Sequence, residues 1–223
     1  MFGTQIGLKF NQCGSPAAYP GNTVVADINP DSPAYPVLIK TLEEIDKAEL
    51  SPLLIKLPVD SYHVTIMRGL NHRIRTPEFW PPELPVDAPL SEMDRFVKTR
   101  LEGIAFPASF AMKIESIQWN DEDVRVHLAP ATDEAKQTLR ALRDRMADAL
   151  GFRLPGHDGY AFHATLAYVL HRAQEEDSIK IARIIDEFRA NHSGRLVFEL
   201  PAPYLAFYED MMKFSRERGA ANR

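Results

Sequence analysis

The chain has 223 residues, of which 45% are hydrophobic and 26% are charged, a composition typical of a globular protein with a substantial core. Its formal net charge of -5 argues against an extended nucleic-acid footprint, which requires a broad excess of Lys and Arg. No stretch reaches about eighteen consecutive apolar residues, and the N-terminal residues lack the pattern of a signal peptide. The single Cys13 excludes an internal disulfide framework and a cysteine-rich metal site. We therefore expect a cytoplasmic monomer that does not associate with membranes.

The first part of the chain predicts a strand, a helix and a second strand. Residues 11–22 contain glycines and prolines that indicate an irregular entry, and residues 23–28 then predict a strand. Residues 34–50 carry apolar side chains at helical spacing, and Pro52 ends that helix. Residues 53–66 supply extended segments, the last of which contains a His-x-Thr motif.

The middle of the chain predicts a long loop, a helix and a hairpin. Residues 76–89 include five prolines, too many for a helix or a central strand, and such loops often act as lids. Residues 90–104 have the apolar stripe of an amphipathic helix. Residues 110–119 and 124–128 flank the turn sequence Asn-Asp-Glu-Asp and predict a β-hairpin.

The last part of the chain repeats the order of helix and strand. Residues 132–150 predict a helix that its first residue caps and a glycine terminates. Residues 160–170 predict a strand that contains a second His-x-Thr motif, and residues 174–191 predict another helix. Residues 196–214 predict one or two further strands, and we expect the charged residues 215–223 to be frayed.

The two His-x-Thr motifs are the strongest functional signal in the sequence. In an extended strand alternate side chains share a face, so His63 and Thr65 point one way while the apolar residues beside them point the other. His163 and Thr165 repeat this division one hundred residues later. Each strand would therefore present one imidazole and one hydroxyl while its apolar face is anchored in the core.

An internal duplication connects the two motifs. An offset of one hundred residues aligns the motifs with each other and residues 24–30 with residues 124–130. The residues that are identical at this offset include Val24 and Val124, Pro30 and Pro130, Leu42 and Leu142, and Leu50 and Leu150. We interpret the chain as a single domain of two pseudo-repeat halves, approximately residues 23–109 and 110–214, whose motif strands face one cleft. The alternative is that each histidine is a half-buried sheet residue, with Thr chosen for its β-propensity.

At these residues the sequence resembles a known superfamily. The motifs His63-Val-Thr65-Ile and His163-Ala-Thr165-Leu resemble those of the two-histidine (2H) phosphoesterase superfamily, over about residues 23–214. The residues around the motifs look most like a bacterial branch whose activity is unassigned. The resemblance implies an α+β fold of two duplicated lobes, with antiparallel-rich sheets around a central cleft and helices outside. The proline-rich residues 76–89 depart from the compact members of the superfamily.

The resemblance also implies a small phosphodiester substrate. Relatives include 2′,3′-cyclic phosphodiesterases, RNA-end-processing enzymes, 2′-5′ phosphodiesterases and proteins that only bind a nucleotide. Hydrolysis of a cyclic phosphodiester needs a base, an acid and hydrogen-bond donors for the phosphoryl oxygens. The unperturbed pKa of histidine, near 6.5, lets one imidazole be neutral and another charged around neutral pH, so two histidines can supply base and acid, and two threonines can supply the donors. No cofactor is then needed, and the sequence leaves open which histidine is the acid.

Further residues are candidates for substrate binding. Arg68 and Arg73 follow the first motif and would add positive potential to a cleft. Trp80 and Tyr168 could stack on a base, although strict alternation puts Tyr168 on the face opposite His163 unless the strand bulges. Asn22 is a weaker polar candidate at the mouth of the cleft.

Two other functional classes remain open at this point. One is a module that holds a nucleotide phosphate between the histidines without turnover. The other is a metal-dependent hydrolase that uses His63 and His163 as ligands, but the sequence offers no third ligand at a suitable spacing, so we expect no metal.

Overall fold

The computed structural model describes residues 1–218, which contain eight named β-strands and four α-helices. The strands are β1 (Gly21–Asp27), β2 (Leu54–Lys56), β3 (His63–Asn71), β4 (Ser109–Trp119), β5 (Asp123–Pro130), β6 (Phe162–Val169), β7 (Val197–Pro201) and β8 (Tyr204–Tyr208). The helices are α1 (Tyr35–Lys47), α2 (Leu90–Leu101), α3 (Asp133–Leu150) and α4 (Glu175–His192). Within residues 1–218, no helix has both the length and the apolar character needed to cross a membrane.

The strands form two antiparallel sheets, ordered β3-β1-β8 and β2-β6-β5-β4-β7. The predicted hairpin is the pair β4 and β5. Helices α1 and α4 pack against each other, as do α2 and α3, and one continuous apolar cluster joins the helices to both sheets. The predicted α+β class with antiparallel sheets is confirmed.

The two sheets exchange strands between the first and second parts of the chain. The short strand β2 belongs to the first part but pairs with β6, and β8 comes from the C-terminal part but pairs with β1. Each sheet is therefore completed by a strand from the other part of the sequence. This exchange couples the two sheets, so that β3 and β6 lie against each other where the sheets meet.

The ends of the helices follow local sequence signals to different degrees. The Thr132 hydroxyl accepts a hydrogen bond from the Ala135 N–H at the start of α3, and Gly151 ends the helix with φ +76°, both as predicted. Helix α2 ends at Leu101, three residues before the predicted end, because Glu102 is extended and Gly103 adopts φ +89°. Gly103, which lies within the predicted helix, therefore marks the point where α2 ends early.

The proline-rich residues 76–89 contain a single 3₁₀ turn, Pro77–Phe79, and no other helix or strand. The segment is nevertheless packed into the protein, because Trp80 and Leu84 are buried and the Trp80 indole N–H donates to the Leu84 carbonyl at 2.8 Å. The Arg75 guanidinium covers the Trp80 ring at 4.6 Å. These contacts pack the segment against the rest of the protein, so it is not a free loop.

Residues 215–218 are more ordered than the sequence predicts. Ser215 exchanges two backbone hydrogen bonds with Phe207, and the Arg218 guanidinium donates to the Asp94 carboxylate. The prediction of a frayed tail is therefore wrong for residues 215–218, while residues 219–223 lie outside the described residues. Salt bridges and a strand-like pairing fix this part of the tail, and neither is visible in a short charged sequence.

The first twenty residues form an arm that packs across the second sheet. The Gly3 N–H donates to the Leu170 carbonyl at 3.0 Å, and a Cβ at Gly3 would lie only 2.0 Å from the Val169 carbonyl oxygen. Only glycine permits this close approach. Phe10 is fully buried, with its ring 5.0 Å from that of Tyr168, so the arm is anchored near its start and at its middle.

Candidate active site

The two motif strands present their polar residues to one cleft. His63 and Thr65 on β3 and His163 and Thr165 on β6 all line a cleft of about 440 Å³ where the two sheets meet. The apolar residues on the opposite faces are fully buried: Val64, Ile66, Ala164 and Leu166. The alternation predicted from the sequence is therefore present in both strands.

Each motif imidazole is anchored by a backbone carbonyl two residues before it. His63 Nδ1 lies 2.8 Å from the Ser61 oxygen, and His163 Nδ1 lies 3.0 Å from the Ala161 oxygen. Because a carbonyl can only accept, Nδ1 must carry the hydrogen in both rings. Within residues 1–218 neither Nε2 has a hydrogen-bond partner, so each is free to accept a proton when neutral or to donate one when charged.

The residues opposite the two histidines differ in charge. Asp27 on β1 is the cross-strand neighbour of His63, whereas His127 on β5 is the neighbour of His163, with the two rings 6.1 Å apart. Burial lowers the pKa of both motif histidines. The Asp27 carboxylate acts to raise the pKa of His63, whereas the neighbours of His163 act in both directions, because Arg125 and His127 lower its pKa and Asp123 raises it. The neighbouring charge at His63 therefore favours the charged imidazole, and the neighbouring charges at His163 oppose one another.

Matching bulges follow the motif in both strands. The pairing of β3 with β1 skips Ile66, and the pairing of β6 with β5 skips Leu166, at positions one hundred residues apart. An extra residue of this kind redirects the side chains that come after it. Arg68 and Tyr168 consequently line the cleft at equivalent positions, which satisfies the condition set by the alternation for Tyr168.

A buried arginine supports the first bulge. Arg143 on α3 is 4% exposed and donates to the Ile66 carbonyl, which belongs to the extra residue of the bulge. It also donates to the His157 carbonyl at 3.1 Å, and its guanidinium lies 4.2 Å from the centre of the Tyr160 ring. Because these contacts join α3, β3 and the loop before β6, Arg143 fixes the relative positions of the elements around the cleft.

Aromatic side chains border both imidazoles. The Phe214 ring lies 4.2 Å from that of His63, and the Tyr160 ring lies 6.4 Å from that of His163. Phe79 of the proline-rich segment also lines the cleft. These rings contribute to the partial burial of the imidazoles, and burial is the largest cause of the lowered pKa values described above.

Three predicted substrate-binding residues lie outside the cleft lining. Arg73 is exposed beyond the end of β3, where the chain turns away from the sheet. Trp80 is buried and hydrogen-bonded within its own segment. Asn22 is fully buried, and its amide forms hydrogen bonds with the backbone of β3 and with a carboxylate on α2. Alternate residues of a strand face opposite sides, and on β1 it is Thr23 that points toward the cleft. For these three residues the structure corrects the prediction.

Several cleft residues were missed by the sequence analysis. The arm contributes Gln5, Lys9 and Tyr19, for which the irregular sequence gave no periodic signal. Arg143 did have a signal, because it lies on the apolar face of the predicted helix, and a charged residue at such a position requires a buried partner. Phe214 falls in the predicted C-terminal strand region, but only the tertiary fold brings it to His63.

The one group of three potential metal ligands within residues 1–218 lies outside the cleft lining. It consists of Asp144, His157 and Asp158. Arg153 contacts Asp144 at 2.7 Å and Asp158 at 3.6 Å, and His157 Nε2 lies 3.1 Å from Asp144. These contacts form a salt-bridge cluster that ties α3 to the following loop.

The family and structural comparisons agree with this geometry. Residues 9–122, about half of the chain, match the family 2H-phosphodiest, described as a domain of unknown function (DUF1868). The conserved protein of unknown function ATU0111 from Agrobacterium tumefaciens str. C58 has a similar structure, with a TM-score of 0.85 and 25% sequence identity over 96% of this chain and 91% of that chain. No curated protein matches the chain.

A more distant structural relative is E. coli LigT, solved in complex with NADP+. It has a TM-score of 0.50 and 13% identity over 88% of this chain and 94% of that chain, a level of identity that shows a shared fold alone. The family match over residues 9–122 and the paired His-x-Thr strands lead to one assignment: the chain belongs to the 2H phosphoesterase superfamily, in the DUF1868 family.

Proposed function

We propose that the protein is a metal-independent phosphodiesterase that hydrolyses a cyclic 2′,3′-type or related phosphodiester of a nucleotide or RNA end. Membership of the superfamily implies hydrolysis of phosphoric diesters in general. The observation that carries the finer proposal is the pair of imidazoles in one cleft, each anchored through Nδ1 and each with a free Nε2. The same cleft holds both motif threonines.

In the proposed reaction His163 is the base and His63 is the acid. Neutral His163 accepts a proton from water at Nε2, and the water oxygen forms a bond to phosphorus. The bond between phosphorus and the ribose oxygen breaks, and His63 donates its Nε2 proton to that oxygen. This assignment rests on the carboxylate of Asp27 beside His63 and on Arg125 and His127 near His163, whose effect on the pKa of His163 is opposed by Asp123.

The motif threonines are proposed to hold the phosphoryl oxygens. Within residues 1–218 neither the Thr65 nor the Thr165 hydroxyl has a hydrogen-bond partner, so both can donate to a ligand. Donors that are already in place when charge develops on the phosphoryl oxygens favour the transition state. The proposal therefore assigns the acid, the base and the donors to side chains of the chain itself.

The carboxylates of the cleft also favour this reading over a metal site built on the two histidines. Asp123 is bound to the Arg125 guanidinium through both oxygens, at 2.5 Å each, and Glu122 lies 3.8 Å from the Lys9 ammonium. A metal that used His63 and His163 would have to displace one of these cations to obtain a carboxylate ligand from the cleft lining.

A substrate panel tests the proposal. Turnover of adenosine 2′,3′-cyclic monophosphate, adenosine 3′,5′-cyclic monophosphate and a short RNA ending in a 2′,3′-cyclic phosphate should be measured with and without EDTA, alongside equilibrium binding of the same compounds. We expect hydrolysis of a 2′,3′-cyclic substrate that EDTA leaves unchanged. Binding without turnover would support the nucleotide-binding alternative, and activity lost with EDTA and restored by Zn²⁺ or Mn²⁺ would refute the metal-independent mechanism.

A further inference from the structure

Two cations of the cleft have no role in the proposed proton transfers. Lys9 comes from the N-terminal arm, and Arg68 follows the bulge on β3. Both side chains line the same cleft. Burial is the largest cause of the lowered pKa of Lys9, and electrostatic repulsion from Arg68 adds to it. Their surroundings decide whether they are structural or available to a ligand.

Lys9 is held rigidly but is weakly paired. Its ammonium lies 3.4 Å from the Tyr168 hydroxyl and 4.7 Å from the centre of the Tyr168 ring. Its nearest carboxylate is that of Glu122 at 3.8 Å, a long distance for an ion pair. The adjacent Phe10 is fully buried, which holds Lys9 at the wall of the cleft.

Arg68 has no anionic partner within residues 1–218. Within these residues its guanidinium contacts the ring of Phe79, whose centre lies 5.0 Å from the guanidinium carbon. Stacking of this kind orients the planar guanidinium and leaves its N–H groups free to bind an anion.

The carboxylates of the cleft do not neutralise these two cations. Asp123 binds Arg125 through both of its oxygens, and Glu122 is shared between Arg125 at 3.5 Å and Lys9 at 3.8 Å. Burying an ammonium without a close counterion costs free energy. Burial lowers the pKa of Lys9 to about 8 for this reason. An anionic ligand would offset this cost.

We infer that Lys9 and Arg68 form a second anion subsite, so that the substrate is a phosphodiester that carries a further phosphate group. This inference rests on the proposed function, in which the two motif histidines hold the reacting phosphate. Thr65 and Arg68 are three residues apart on β3, a separation of at most roughly 10 Å, because the bulge at Ile66 shortens the regular spacing of the strand. A nucleoside unit that joins two phosphates can bridge such a separation.

Paired ligands test the inference by equilibrium binding. Adenosine 3′-monophosphate should be compared with adenosine 3′,5′-bisphosphate, and adenosine 2′-monophosphate with adenosine 2′,5′-bisphosphate, by titration calorimetry at pH 7. The bisphosphate of at least one pair should bind the wild-type protein about tenfold or more tightly than its monophosphate. Equal affinities within both pairs would overturn the inference.

Variants locate the gain in affinity. Lys9→Met and Arg68→Met should each reduce the difference between bisphosphate and monophosphate to about twofold or less. Arg73→Met is the matched control, because Arg73 is an exposed arginine of the same region that does not line the cleft. A difference that survives both cleft variants, or that is lost equally in the control, would contradict the subsite.

The wild-type protein offers a test that needs no substitution. Lys9 is charged below its pKa of about 8 and neutral above it, so the preference for the bisphosphate should decrease as the pH rises from 7 to 9.5. The charged groups around Lys9 are Glu122, Asp123, Arg68 and Arg125, and the rings of Tyr19 and Tyr168 pack against its ammonium. Burial raises the pKa of both tyrosines above the ordinary value. Lys9→Arg should retain the preference at pH 9.5. A preference that is independent of pH in the wild-type protein would count against Lys9.

The two proposals fail separately. A bisphosphate preference without turnover of any cyclic phosphodiester would refute the proposed hydrolysis and keep the subsite. Turnover of a 2′,3′-cyclic substrate with equal affinities within both ligand pairs would refute the subsite and keep the hydrolysis.

Discussion

The chemistry proposed for each motif histidine depends on one hydrogen bond to its own backbone. The carbonyls of Ser61 and Ala161 fix the hydrogen on Nδ1 of His63 and His163, so the nitrogen available for proton transfer is Nε2 in both rings. A sequence motif can specify that a histidine is present, but only the path of the backbone specifies the tautomer.

His63→Ala and His163→Ala should each lower kcat by about 100-fold or more, because each removes one proton-transfer group. The double variant should be only slightly worse than either single variant, since the two groups act as a unit. His192→Ala is the control, because it removes an imidazole at the end of α4 that does not line the cleft. Near-wild-type turnover in either motif variant, measured under saturating substrate, would reject the mechanism.

The assignment of His63 as the acid can be tested with a substrate that needs no acid. A p-nitrophenyl phosphodiester has a leaving group that departs without protonation, so His63→Ala should lose about tenfold or less with it. The kcat of His163→Ala should fall as much with this substrate as with a cyclic phosphodiester, because the base is still required. The opposite pattern in steady-state rates would exchange the two roles.

At the scale of elements, the matching bulges explain which side chains reach the cleft. The alternation of His63 and Thr65 was predictable, because a period of two is the basic property of a strand. The bulges at Ile66 and Leu166 were not, because a bulge depends on how the neighbouring strand pairs. The bulge at Ile66 turns Arg68 toward the cleft. Arg73 lies beyond the end of β3 and does not line the cleft.

The arm and the buried polar residues mark the limits of prediction from this sequence. Lys9 reaches the cleft through an irregular segment whose course is set by tertiary contacts, with no local periodicity to read. Asn22 looked like a residue at the cleft mouth but lies on the opposite face of β1, where it satisfies buried polar groups. Helix and strand positions were therefore largely readable, whereas the composition of the cleft wall was only partly so.

Two adjacent aromatic residues of the proline-rich segment should give different phenotypes. Trp80→Ala removes a buried side chain and should lower the free energy of unfolding by about 3–5 kcal/mol, with little change in KM of the folded protein. Phe79→Ala should raise KM about threefold or more and change stability little, because Phe79 is half-buried and lines the cleft beside Arg68.

Chemical denaturation and steady-state kinetics on the same two variants separate these effects. Equal effects of both substitutions on KM would show that the segment acts as one structural unit rather than through Phe79.

At the scale of the molecule, we propose that the chain is one domain that arose by duplication, with halves near residues 23–109 and 110–214. The equivalent bulges, the equivalent Nδ1 contacts and the equivalent cleft positions of residues 68 and 168 support this proposal. The exchange of β2 and β8 between the sheets makes the halves interdependent. Duplication would also account for the two similar imidazoles, to which the proposed mechanism gives opposite tasks.

The proposed mechanism requires His63 and His163 to act on one phosphate from opposite sides. The most direct measurement is a crystal structure of the protein with adenosine 2′-monophosphate, the type of product that hydrolysis of a 2′,3′-cyclic phosphate yields. Each Nε2 should lie about 2.6–3.2 Å from its own oxygen of a single phosphate group, with the two nitrogens roughly 5–8 Å apart. A phosphate bound elsewhere, or imidazoles more than about 12 Å apart, would contradict the two-histidine mechanism for this protein.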